Sequence, residues 1–247
     1  MTTSTEQLNA AILALNNAAS AYNSKKGQID AAVNAAVAAI PQTKKTFYVN
    51  QLTGNNANSG TLAEPLATLR QAFARTPWGG QCNVILTSDY TLSDLEDSDG
   101  INVSIVGKNQ QKLRFTWVDD PQNPANVSYL NAFRPRGLAV FRFHNLDIYL
   151  PDSPGKPITN PHLAGIIGNV AQNLPSILVA RFYQVNFFDP GDGPGSVFGN
   201  LSAFSVFSAV STTFPATMPG KIVRGVGGVG VDPNTASRLV VTNQDWI

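Results

Sequence analysis

Four aspartates in the middle of the chain are the residues whose chemistry could be catalytic. Hydrolysis of a glycosidic bond needs two carboxyl groups about 5–5.5 or 6.5–9.5 Å apart, one as acid and one as base or nucleophile. The candidates are Asp147, Asp152, Asp189 and Asp192. The last three lie beside Pro or Gly, where Asp commonly forms turns. We therefore expect no catalytic site, and Asp147 and Asp189 are the residues that an enzyme would use if this expectation is wrong.

Three aromatic side chains are candidates for binding a sugar. Tyr149, Tyr183 and Trp117 lie in strand-like segments, and rings of this kind can pack against the apolar face of a pyranose. Packing between subunits would explain the same residues equally well.

Other signals for a cofactor, metal or nucleophile are weak. Residues 225–230 read GVGGVG, but only 17 residues follow, so the helix and acidic residue of a dinucleotide site are missing. Neither His144 nor His162 accompanies a nucleophile motif, and His144 is expected on a surface. The Asn-rich stretch at residues 50–58 lacks the carboxylates that calcium prefers. We expect neither a cofactor nor a metal.

The composition limits the partners and the compartment. Of the 247 residues, 43% are hydrophobic and 13% are charged, and the net charge is +1. This balance offers no electrostatic attraction to nucleic acid, so none is expected as a partner. The single cysteine excludes an intrachain disulfide, and no apolar run is long enough to insert into a membrane. Residues 1–7 lack the features of a signal peptide, so we expect synthesis in the cytoplasm.

The first 41 residues form a predicted helical segment for oligomerisation. Apolar residues recur with alternating spacings of three and four, which is typical of helices that supercoil around each other. Lys26 is the one misfit in the seam, and Gly27 is a position where the helix could kink or break. A single amphipathic helix lying on the body of its own chain is the alternative. The seam consists of Leu8, Ile12, Leu15, Ala19, Tyr22, Ile29, Val33, Ala36 and Ile40.

Residues 42–247 form a predicted body that is mainly β. Strands are expected at residues 46–50, 83–90, 103–107, 112–118, 138–150, 177–188 and 238–247, with one helix near 66–75. Residues 137–152 align with 176–191, and residues 239–247 give a fainter third copy. In the first copy the inward alternation slips by one residue at Asn145, which a strand that turns a corner requires. We expect a coil of stacked strands, with a β-sandwich as the alternative.

The first strand and the segment after it, residues 46–73, resemble the start of the right-handed parallel β-helix in bacteriophage tailspikes and tail fibres. There a Tyr-Val strand leads to an Asn-Gly turn, a Pro and a short helix that caps the coil, although extracellular bacterial β-helix enzymes carry the same turn. Residues 27–41 are similar to the N-terminal stalks of phage fibres. The matching residues are Tyr48, Val49, Gly54, Asn58, Gly60, Thr61, Pro65, Thr68, Leu69 and Ala72.

The resemblance implies a homotrimer with a coiled-coil stalk and a β-helical body, whereas the heptads alone leave a dimer open. It implies a structural protein of the virion that binds a receptor, either a glycan or lipopolysaccharide of the host surface, and contacts other tail or baseplate proteins. Two alternatives remain. One is a polysaccharide depolymerase, a glycoside hydrolase or lyase, and the other is an adaptor that connects the tail to a separate receptor-binding chain.

Overall fold

The computed structural model describes residues 3–39, 43–135, 138–160, 163–168, 177–191, 193–199, 204–222 and 240–242. The chain divides into two compact units, Met1–Gln42 and Thr43–Ile247. The first contains one long helix and the second is mainly β.

The first unit is helix α1, Ser4–Ala39. Its start is capped by Glu6, whose carboxylate accepts a hydrogen bond of 2.8 Å from the backbone N–H of Thr3. The helix continues through Gly27, so the possible break at this residue is absent. The seam residues with described side chains are exposed in the single chain, as are Leu13 and Val37 outside the seam. Ile40 lies outside the described residues.

The second unit begins with strand β1, Lys44–Val49, followed by the asparagine turn, which we define as residues 50–60. Its Asn side chains bond to the backbone, as expected. Asn50 Oδ1 accepts from the N–H groups of residues 52 and 53, each at 3.0 Å. Asn56 Oδ1 accepts from the N–H groups of residues 67 and 68, each at 3.1 Å.

Two glycines permit this turn for different reasons. Gly60 has a φ of +84°, in the region that favours glycine. Gly54 has no positive φ, so backbone freedom does not explain its presence. Its role is close approach, because a Cβ there would lie 2.2 Å from the carbonyl oxygen of Leu66.

The short helix α2, Leu69–Ala74, begins three residues later than predicted. Pro65 does not start it, because Leu66 instead forms a parallel bridge with Val49. Thr68 is the N-cap, and its side chain accepts from the backbone N–H of Gln71. The buried face of the helix consists of Leu69, Ala72 and Phe73.

Among the described residues, eight strands form one sheet in which every pairing is parallel. The order is β1-β2-β4-β7-β9-β11-β12, and β3 pairs with β4. This pairing excludes the antiparallel β-sandwich alternative, although the sheet alone does not close into a coil. After β1 its strands are β2 Gln81–Leu86, β3 Tyr90–Leu92, β4 Asn102–Phe115, β7 Leu138–Tyr149, β9 Ile177–Phe188, β11 Phe204–Val210 and β12 Val240–Thr242.

Two further sheets have two strands each. Strands β8, Gly165–Ile167, and β10, Ser196–Phe198, pair in parallel. Strands β5, Trp117–Asp119, and β6, Val127–Leu130, pair antiparallel. No predicted strand covers β6, β8, β10 or β11, and the predicted strand at 83–90 shares only Tyr90 with β3. The predicted strands at 103–107 and 112–118 lie largely within β4, which is continuous.

The two copies of the predicted internal repeat contain β7 and β9, and equivalent residues of the two copies pair with each other in the sheet. Arg142 pairs with Arg181, Phe143 with Phe182 and Asp147 with Asn186 along with their neighbours. The phase slip expected at Asn145 is confirmed, because residues 143 and 146 are both buried. Asn145 has a φ of 54°, and its Nδ2 donates to the carbonyl of Gly107 at 2.7 Å. Of the fainter third copy, the structure describes only residues 240–242, which pair with β11.

The turn at Asn145 is repeated on the neighbouring strands. Gln110, Gln184 and Ser211 have φ values of 56°, 54° and 51°. Gln110 and Gln184 interrupt β4 and β9, and Ser211 directly follows β11. Each bent strand therefore presents two outward faces, one on each side of its corner.

Phenylalanine rings fill the core beneath the sheet. Phe143 and Phe182 stack with their centroids 5.1 Å apart, and Phe182 lies 5.2 Å from Phe207. Phe133 packs against Phe141 and Phe143 from the opposite side. Phe143 and Phe182 are partners in the register of β7 and β9, whereas Phe207 reaches the stack from two residues away, because its own partner in β9 is Ala180.

Candidate functional site

A groove with aromatic side chains in its lining lies beyond the corner, at the ends of β4, β7 and β9. We call it the aromatic groove. Its volume is about 420 Å³, and its lining includes Arg114, Tyr149, Asp152, Phe188 and Asp189. Each strand contributes an outward residue just before a turn, so the parallel register places these side chains side by side.

Tyr149 is the middle member of this row. The Arg114 guanidinium lies 4.4 Å from the centroid of the Tyr149 ring, which is a cation–π contact. On the other neighbouring strand, the Phe188 ring stacks on Tyr149 at 4.5 Å and 9°. Both faces of Tyr149 are therefore covered, and its edge and hydroxyl remain for a ligand. Phe188, which is 39% exposed, offers an aromatic surface at the end of the row.

Trp117 has a supporting position beside this groove. Its ring is partly buried against the core, and its indole N–H donates to the carbonyl of Asp152 at 2.9 Å. Tyr183 lies on the other side of the corner, 4.9 Å from the ring of His144. The structure therefore does not bring the three predicted aromatics together.

The two candidate catalytic carboxylates have different partners. Asp147 Oδ1 accepts from Asn186 Nδ2 at 2.9 Å and from Gln110 Nε2 at 3.2 Å, which makes it a member of a polar row. Asp189 has a side chain that is only 1% exposed, and its Oδ1 accepts from Lys221 Nζ at 2.8 Å. This pairing favours structural roles for both carboxylates.

Sequence reasoning missed Arg114 and Phe188. The internal repeat contained the signal for Phe188, because it aligns residue 188 with Tyr149 and both end a strand. Arg114 is harder to find, because β4 shares no residue pattern with β7 and its ion pair with Asp89, at 3.8 Å, joins distant parts of the chain.

In the described part of the chain, no group of three metal-binding side chains comes together. No helix among the described residues is both long and apolar enough to cross a membrane. Comparisons with protein-family models, with curated proteins and with solved structures find no match.

Proposed function

We propose that this protein is a structural component of a bacteriophage tail fibre or tailspike that attaches the virion to a glycan or lipopolysaccharide of the host surface. The observation that carries the proposal is the parallel sheet whose strands bend at stacked corners and follow an asparagine turn and a short helix. The order of these features is that of the β-helix proteins of phage tails, which residues 46–73 resemble.

In this proposal the body is a right-handed parallel β-helix, and the large sheet forms two of its faces. A further column of parallel pairings supports it. Phe133 bridges to Glu96 on one side and to Ile167 on the other, and Ile167 in turn pairs with Phe198. Successive members are about 30–40 positions apart along the chain, similar to the spacing between β7 and β9. A coil of stacked turns has this pattern of contacts.

The stalk in this proposal is a trimeric coiled coil of α1. A helix of 36 residues is about 54 Å long. Its exposed apolar seam includes Leu15 and Tyr22, each 70% exposed in the single chain. The seven-residue repeat favours packing against other helices, because a helix on a globular surface follows a period of 3.6. In this proposal those helices are copies of α1. Other tail or baseplate proteins would contact the assembled protein in the virion.

The ligand in this proposal contacts the aromatic groove. Phe188 presents its ring to the sugar, while the Tyr149 hydroxyl and Arg114 are placed to bond to sugar hydroxyls. Because Asp189 is bound to Lys221, binding without turnover fits this groove better than hydrolysis.

Labelling and binding together test the function. Immunogold electron microscopy should label the tail of purified virions, and fluorescent protein should bind host cells without releasing reducing sugar. Phe188→Ala should weaken cell binding about fivefold, because an aromatic contact contributes about 1 kcal/mol. Trp78→Ala is the matched control, since Trp78 is 80% exposed and does not line this groove.

Each alternative predicts a different result. Sugar release that is lost in Asp147→Asn or Asp189→Asn would indicate a depolymerase. A labelled virion whose protein does not bind cells but co-purifies with a second tail protein would indicate an adaptor. Virions without label would contradict the proposal.

A further inference from the structure

A second groove lies on the other side of the corner, and it is lined with cations. We call it the arginine groove. Its volume is about 300 Å³, near the lower end of the range for ligand pockets. Its polar lining residues are Ser104, Arg142, His144, Arg181, Tyr183 and Ser208.

The register of four parallel strands arranges these residues in two rows. In the first row Arg142 of β7 pairs with Ser104 of β4 and with Arg181 of β9, and Arg181 pairs in turn with Ser208 of β11. The two guanidinium-bearing side chains are thus neighbours with a hydroxyl at each end. Neighbouring strands are about 4.8 Å apart, so the two arginines share one face at close range.

The second row supplies an aromatic surface beside the arginines. His144 and Tyr183 are opposite each other on β7 and β9, and their rings contact at 4.9 Å and 58°. His144 Nε2 lies 3.1 Å from Gln184 Oε1, which fixes the imidazole. Tyr183 remains 47% exposed.

The two arginines have no carboxylate partner among the described residues. Within the described part of the chain, neither guanidinium has a hydrogen bond or an ion pair, and no carboxylate lines the groove. Like charges opposite each other on adjacent strands are destabilising. In the described part of the second unit, four other cations have a carboxylate partner. The ion pairs are Arg70–Asp94, Arg114–Asp89, Lys156–Asp119 and Lys221–Asp189.

We propose that the arginine groove binds the carboxylate of an acidic saccharide. This inference rests on the proposed attachment function and names the ligand class of a second site. Arg142 and Arg181 donate to the carboxylate, which a planar guanidinium can bind in bidentate geometry. Ser104 and Ser208 bond to sugar hydroxyls, and the ring of Tyr183 packs against the apolar face of the pyranose. A bound anion also removes the repulsion between the two arginines.

Calorimetry with purified full-length protein tests this site. The probes are hexagalacturonate and oligosialic acid, and the control ligand is carboxyl-reduced hexagalacturonate, which keeps the sugar chain but lacks the charge. We expect at least one acidic probe to bind, with affinity that falls as salt rises. Arg142→Gln and Arg181→Gln should each weaken binding about tenfold, and the double variant about a hundredfold.

The matched control is the double variant Arg70→Gln and Lys156→Gln. It removes the same charge from two exposed ion pairs outside the groove, so we expect a change of less than about twofold in affinity. Urea unfolding shows whether each variant folds. If the double variant does not fold, the affinities of the two single variants decide the test.

Several results would overturn the inference: no binding of either acidic probe, equal binding of the carboxyl-reduced probe, equal loss in the control variant, or tighter binding of single-stranded DNA. Failure of this site is distinguishable from failure of the attachment function. Virions that carry the immunogold label while the protein ignores both acidic probes would contradict this inference alone. Unlabelled virions would contradict the attachment function whatever the calorimetry gives.

Discussion

Replacing Glu96 by Gln should remove a specific pH dependence from the stability of the body. Glu96 is 3% exposed and lies in the second column of parallel pairings, bridged to Phe133. The backbone N–H of Leu69 donates to the Tyr90 hydroxyl at 3.1 Å, and that hydroxyl bonds to the Glu96 carboxyl group. The side chain therefore connects the start of α2 to the core.

Burial raises the pKa of Glu96 from 4.5 to about 7. Arg70 lowers this pKa and Asp94 raises it, but both effects are smaller than that of burial. The difference between these two pKa values corresponds to about 3 kcal/mol of stability. Between pH 4.5 and about 7, the folded state keeps a proton on Glu96 that the unfolded state releases. The resulting contribution to the free energy of unfolding is therefore fully present below pH 4.5. It is lost as the pH rises through 7.

The measurement is urea unfolding at fixed protein concentration from pH 5 to pH 8. Over this range the wild-type free energy of unfolding should fall by about 2–3 kcal/mol more than that of Glu96→Gln. Other titrating groups, including the histidines, contribute equally to both proteins and cancel in the difference. Glu64→Gln is the control, because it makes the same change at an exposed glutamate that does not act on Glu96, and it should keep the wild-type slope. Parallel pH profiles for the wild type and Glu96→Gln would contradict a raised pKa of Glu96 in the folded protein.

Three further changes test the core, the corner and the stalk, the first two by urea unfolding at pH 7. Phe182→Ala removes the ring at the centre of the stack and should cost about 3–5 kcal/mol, whereas a cost below about 1 kcal/mol would contradict the packing. Asn145→Ala should cost about 1–2 kcal/mol, because Ala strains at positive φ and leaves a carbonyl unbonded; no loss would argue against the corner. Ile12→Asp with Leu15→Asp should dissociate the oligomer in light scattering, and an unchanged mass would contradict the seam.

Arg134 illustrates what the sequence could not predict. It is 1% exposed, and its guanidinium donates to four backbone carbonyls, at distances from 2.7 to 3.3 Å. Burial lowers the pKa of this guanidinium to about 9. The acceptors lie up to 31 residues away in the chain. No local pattern marks such a residue, because its environment exists only after the turns of the chain come together.

The parts of the fold that could be predicted depend on local patterns. The alternation of buried residues through Phe143 and Leu146 located the corner at Asn145, and the repeat gave the register of β7 with β9. The asparagine turn was readable because Asn and Gly have specific turn chemistry. The long helix was readable from its apolar spacing.

The missed strands had weaker signals. Strands β8 and β10 contain three residues each among Gly and Pro, and their pairing is set by contacts distant in sequence. Strand β11 did alternate, with Phe207 and Ala209 buried, but it lacks the Arg-Phe pair of the two repeats. The polar run around Gln110 suggested a break in β4, whereas the strand bends there and keeps its polar side chains outside.

The candidate grooves were only partly predictable for the same reason. Tyr149 and Tyr183 could be identified as outward aromatics, but which residues stand beside them depends on the register of β4 and β11. That register places Arg114 on Tyr149 and completes the row around Arg142 and Arg181.

The proposed fibre component is a trimer in which three copies of this chain assemble through the seam of α1. Light scattering on the purified full-length protein measures the mass of this assembly directly. A chain of 26.3 kDa predicts a trimer of about 79 kDa. A mass near 26.3 kDa at micromolar concentration would contradict the proposed trimer.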